Sequence, residues 1–146
     1  MEIFGYIIIG IIILYILGFI VNLFSPSNTI TIEELSNNVT EWFIKMYPLR
    51  KKFPRIVISD ESSDFAGTFT FYNNTITLFT QNVSNYESIV EITLHELVHW
   101  REITSHSKDQ FYDKQLKEFG YENHPQEIWC RAVAAELSKR YINQRL

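Results

Sequence analysis

Residues 93–100 read TLHELVHW. Two histidines four apart, with a glutamate directly after the first, decide how the rest of the chain is read. In an α-helix, positions i and i+4 lie one above the other on one face. His95 and His99 therefore project their imidazoles to one point, which two ligands of a tetrahedral zinc ion require. Glu96 lies about 100° round the helix from His95. From there it can reach a water at that point without being a ligand, and take its proton as the water attacks a carbonyl.

The flanking residues support a helix over 86–103. Ser84 and Glu87 stand at capping-box spacing, Ile89 and Ile92 continue the pattern, and Leu94, Leu97 and Val98 supply apolar faces. Upstream, RIVIS (55–59) is a short β-branched run, and GTFTFY (67–72) and TITLF (75–79) alternate apolar with Thr. That period of two predicts a half-buried antiparallel pair. Asn73-Asn74 between them suits a tight hairpin turn, because asparagine tolerates positive φ. Earlier still, Thr31 and Glu34 open an amphipathic helix with Ile32, Leu35, Val39, Trp42, Phe43 and Met46 on one face, ended by Pro48. Downstream, a short helix is expected around Gln110–Glu118 with Gly120 as its stop. A last helix starts at His124-Pro125, since proline is favoured at the first helical position.

Catalytic zinc usually keeps a third protein ligand. The spacing HExxHxxGxxH fails here: Glu102 and Ser105 stand where Gly and His are needed, and His106 comes one place late. Glu127, near the start of the last helix, is the better candidate, because its carboxylate can cross the groove to the two histidines. His124 is the first alternative, followed by His106 or Asp109. Arg131, one turn after Glu127, is placed to hydrogen-bond that carboxylate and fix its orientation. Tyr112, Tyr121, His106 and His124 all lie between the histidine helix and Glu127, and any of them can supply a donor for a developing oxyanion. Trp100 and Trp129 read as core anchors, Cys130 as a buried small residue, and Arg101 and Glu102 as a solvated face.

A hairpin, then a helix with TLHELVHW, then a helix with HPQE followed by Ala132, Ala135 and Leu137, resembles a compact gluzincin metallopeptidase. The nearest branch is the ImmA/IrrE type, with SprT-like domains more distant, and the resemblance covers residues 54–141. It implies His95, His99 and Glu127 as zinc ligands and Glu96 as general base. It also implies that GTFTFY or TITLF is the edge strand along which a peptide lies. Members of the ImmA/IrrE type are generally soluble and often carry a DNA-binding helix-turn-helix, whereas this chain opens on an apolar segment. SprT-like proteins use a third histidine, and none stands at that position here.

That apolar segment is residues 3–24, IFGYIIIGIIILYILGFIVNLF, and it carries no charge. At about 1.5 Å per residue, ~20 apolar residues cross a ~30 Å hydrocarbon core. A cleavable signal would show a basic start, a shorter apolar run and a small-residue cut site. Here Met1-Glu2 precede a longer run, and Pro26 separates Ser25 from Ser27. The reading is an uncleaved single-pass anchor. The basic cluster RKKFPR (50–55) favours the following domain on the cytoplasmic side and can also touch anionic headgroups. Cys130 is the only cysteine, so it forms no internal disulfide and fits a reducing compartment. A net charge of −4 makes no electrostatic case for nucleic acid.

The expected fold class is α+β. A transmembrane helix (1–24) and a linker with an amphipathic helix (25–53) precede a small zincin-like domain (54–146), its short sheet packed on the HExxH helix. The expected activity is zinc-dependent hydrolysis of peptide or protein substrates beside a membrane. The alternative is a zinc-stabilised membrane adaptor that binds a partner without turnover. Glu96 weighs against that alternative, because a purely structural site has no use for a glutamate beside its first ligand and usually closes its shell with a fourth.

Overall fold

Thr31, in extended backbone, accepts the Glu34 N–H on its hydroxyl and so caps α1 (Ile32–Met46). The helix buries Leu35, Val39 and Phe43 in the same core as the residues that follow. These observations come from a computed structural model that describes residues 30–48 and 52–145. The apolar run 3–24, read above as an anchor, lies outside the described residues. Among the described residues no helix is long and apolar enough to cross a membrane.

The chain is α+β, with four helices and a three-stranded sheet among the described residues. The strands are β1 (Arg55–Ser59), β2 (Gly67–Thr70) and β3 (Thr75–Phe79), in the order β1-β3-β2. β1 runs parallel to β3, from Arg55 opposite Thr75 to Ser59 opposite Phe79. β2 runs antiparallel to β3, from Gly67 opposite Leu78 to Thr70 opposite Thr75. TITLF is thus the central strand, with Ile76 and Leu78 fully buried, and GTFT is the edge strand of the hairpin.

The hairpin departs from the two-residue turn expected at Asn73-Asn74. β2 stops at Thr70, and Phe71–Asn74 form a four-residue turn in which Asn74 takes a φ of 52°. The reason lies in the Asn74 side chain. Its Nδ2 donates to the Lys52 and Phe53 carbonyls at 3.1 and 2.8 Å, while its Oδ1 accepts from Trp100 Nε1 at 3.0 Å. One residue ties the turn to the segment before β1 and to the histidine helix. Asn74→Ala removes all three bonds and strains the backbone, so it should lower unfolding stability by about 2–4 kcal/mol. Asn74→Gly, which keeps the backbone geometry, should lose less. Urea titrations check both, and a loss below about 0.5 kcal/mol for the alanine variant contradicts this account.

Helix α2 (Tyr86–Glu102) starts at the residue expected, but its capping box lies one residue later than Ser84–Glu87. Asn85 Oδ1 accepts the Ser88 N–H at 2.8 Å, and Ser88 Oγ accepts the Asn85 N–H at 3.1 Å, so the capping box is Asn85–Ser88. The helix buries Val90, Leu94, Leu97, Val98 and Trp100. Helix α3 (His106–Asn123) is longer than the Gln110–Glu118 expected, because Ser105 caps it early through the Lys108 N–H. Gly120, with φ 69° and ψ 168°, interrupts it where a stop was expected and redirects the last turn. Helix α4 (Pro125–Asn143) follows, capped by His124. Its buried stripe is Glu127, Cys130, Ala134, Leu137 and Tyr141, at alternating spacings of three and four. Trp129 falls off that stripe and is 53% exposed, so it is not the core anchor expected.

Candidate metal centre

The core turns α2 so that its His95 and His99 face the first turn of α4. His95 Nε2 and His99 Nε2 lie 3.1 Å apart. Glu127 Oε2 is 3.1 Å from His95 Nε2, and Glu127 Oε1 is 3.0 Å from His99 Nε2. Glu127 is 1% exposed. No placement of protons makes all three contacts hydrogen bonds. Two Nε2–H groups donating to the carboxylate leave the N···N contact with no acceptor, and any other choice sets a lone pair against the carboxylate. A cation among them satisfies every edge. Bonds of about 2.0–2.1 Å to a tetrahedral zinc place neighbouring ligand atoms about 3.3 Å apart, close to the separations found. These three residues could therefore hold a metal ion, the carboxylate offering Oε2 towards His95 and Oε1 towards His99.

Electrostatics agree with the contacts. Burial alone raises the Glu127 carboxyl, but contacts with His95, His99 and the Tyr112 hydroxyl outweigh it and hold the group well below the ordinary carboxylate range. Burial works against a charged His95, yet its bond to Glu127 prevails and the ring's pKa is raised. Burial pushes the Glu96 carboxyl above its usual range, against the pull of both imidazoles and of the Phe69 backbone N–H. Tyr112 and Tyr121 are raised by burial and then by Glu127, so both stay neutral donors.

The remaining candidates separate clearly. His124 is fully buried with both nitrogens engaged: Nδ1 accepts from the Gln126 and Glu127 N–H groups at 3.1 and 3.4 Å, and Nε2 donates to the Tyr112 carbonyl at 3.2 Å. It holds the Glu127 backbone instead of joining the ligand atoms. His106 is occupied by Tyr72 and Gln110, each at 2.9 Å. Asp109 lines the cleft but is outside the converging group. Arg131 does not take the part expected of it. Its Nη2 donates to the Glu122 carbonyl at 2.8 Å, and its guanidinium lies over the Tyr121 ring. The hydroxyl that secures Glu127 belongs to Tyr112, which donates to Oε1 at 2.5 Å. Tyr112→Phe should weaken zinc binding about 10–100-fold, as loss of a bond that orients a ligand typically does. A competitive chelator titration measures this, and a change under about twofold would reassign Tyr112 to packing.

No family model, curated protein or solved structure matches the chain.

Three features escaped the sequence reading. Cys130 Sγ lies 3.6 Å from His99 Nδ1, so this buried residue also borders the ring nitrogen of His99 that faces away from Glu127. Burial raises its thiol well above the usual range and keeps it neutral. Phe69 offers its backbone N–H to Glu96. Gly67 lets β2 close on α2. Nothing in local pattern marks the first two, because each contact joins elements more than twenty residues apart. Two cavities of about 280 and 230 Å³ flank the site, and both are bordered by Phe65, Gly67, His95, Glu96 and Tyr121.

Proposed function

We propose that the chain is a zinc-dependent metallopeptidase. The closed triangle of His95, His99 and Glu127, with Glu96 buried beside it, carries this reading. Zinc held there supplies a Lewis acid that polarises a carbonyl and lowers the pKa of water to about 7. Glu96 accepts the proton of the attacking water and returns it to the leaving amine. Tyr121, a neutral phenol bordering both cavities, is the candidate donor to the oxyanion. The edge strand β2 borders the same cleft and gives an extended peptide a backbone to pair with. In the same proposal, residues 3–24 anchor the enzyme in a membrane, with the basic 50–55 segment on the cytoplasmic side. Its substrates are then proteins presented near that face.

The test is cleavage of a randomised peptide library by the purified protein. New termini that disappear after chelation and return with added zinc are expected. Full zinc occupancy without any cleavage favours the adaptor reading instead.

A further inference from the structure

We infer that Gly67 is a positioning residue for Glu96, a role that rests on the metallopeptidase reading. β2 approaches α2 so closely that a Cβ on Gly67 would lie 2.8 Å from Ile92 Cγ2, 3.0 Å from Glu96 Cγ and 3.2 Å from Glu96 Oε1. Real Cβ atoms essentially never come within 3.0 Å of another heavy atom, so something must move. Ile92 Cγ2 sits on a β-branched carbon, one bond from Cβ, and cannot swing clear without a rotamer change in the helix. Glu96, met at 3.0 and 3.2 Å, must also give by a few tenths of an ångström, and that shift moves its carboxylate.

The glycine is not explained by backbone conformation. Among the described residues only Gly120 and Asn74 have positive φ, so Gly67 adopts a backbone open to any residue. What it supplies is the absence of a side chain. Two residues on, the Phe69 backbone N–H works on the Glu96 carboxyl from the same strand, lowering its pKa against burial. β2 thus leaves room for the stem of the glutamate. The three nearest atoms a Cβ at Gly67 would meet belong to Ile92 and Glu96, and none to His95, His99 or Glu127. A larger residue there should therefore disturb proton transfer and leave metal binding in place.

The experiment compares wild type, Gly67→Ala, Ile92→Ala and the Gly67→Ala/Ile92→Ala pair for zinc content, denaturation midpoint, kcat and KM. Gly67→Ala should keep one zinc and lose on the order of 10²-fold in kcat, with KM changed less than about threefold. The pair should recover the denaturation midpoint relative to Gly67→Ala but not kcat. Unchanged kcat in Gly67→Ala, loss of its zinc, or restoration of kcat in the pair each overturns the inference, since any of them makes Gly67 a packing residue only. Should wild type bind zinc and cleave nothing, the metallopeptidase reading falls by itself. The contact is then judged by denaturation alone: Gly67→Ala must lower the midpoint less in an Glu96→Ala background than in wild type, and an equal drop in both overturns it.

Discussion

Glu96→Gln keeps zinc at one ion per chain and lowers peptide turnover by about 10²–10⁴-fold, the range spanned by loss of a general base. The substitution is nearly isosteric and removes only the ability to take a proton. Glu96 is 6% exposed and is not one of the three converging residues His95, His99 and Glu127. Metal content and fold should therefore be unaffected while the chemical step fails. The fall should appear in kcat, because the proton moves only as the transition state forms. Turnover within about threefold of wild type would show that another group does this work. Loss of zinc would show that Glu96 is itself a ligand.

Glu127→Ala has the second large effect, on metal affinity. Zinc sites with four protein ligands bind with roughly 10–16 kcal/mol, about 2.5–4 kcal/mol for each ligand if shared evenly. Losing one ligand therefore weakens binding by about 10²–10³-fold. The contrast lies in His124. His124→Asn keeps an acceptor suited to the cap of α4 and loses only the bond to the Tyr112 carbonyl. It should stay within about tenfold of wild type. The two variants are compared by chelator competition at neutral pH. A weaker effect for Glu127→Ala than for His124→Asn would make the histidine the ligand, in conflict with the bonds on both its nitrogens.

Much of this arrangement was legible in the chain, because it rests on local rules. The four-residue spacing of His95 and His99 fixes a shared face once the segment is helical, and the apolar residues around it make it so. The α+β class follows from alternating Thr and apolar residues before that helix and from caps and prolines after it. Glu127 was reachable because a histidine pair needs a partner and the start of the next helix is a short reach across the fold. What sequence could not supply was set by contacts between distant segments. The parallel pairing of β1 with β3 makes TITLF central, and no local pattern specifies which neighbour a strand will take. Asn74 lengthened its turn by bonding Lys52, Phe53 and Trp100. Arg131 lay one helical turn from Glu127 yet bonded Glu122, because the break at Gly120 returns that segment to the start of α4. Tyr112 took the expected place of Arg131 from a helix whose sequence shows no marked apolar stripe and which buries none of its residues fully.

The central claim is that His95, His99 and Glu127 hold a zinc ion. Its most direct test is elemental analysis of the protein purified at neutral pH without chelator, alongside His99→Ala. One zinc per chain in the wild type, and a loss of most of it in His99→Ala, is the predicted result. No metal in the wild type after equilibration with zinc, or equal zinc in both proteins, would contradict it.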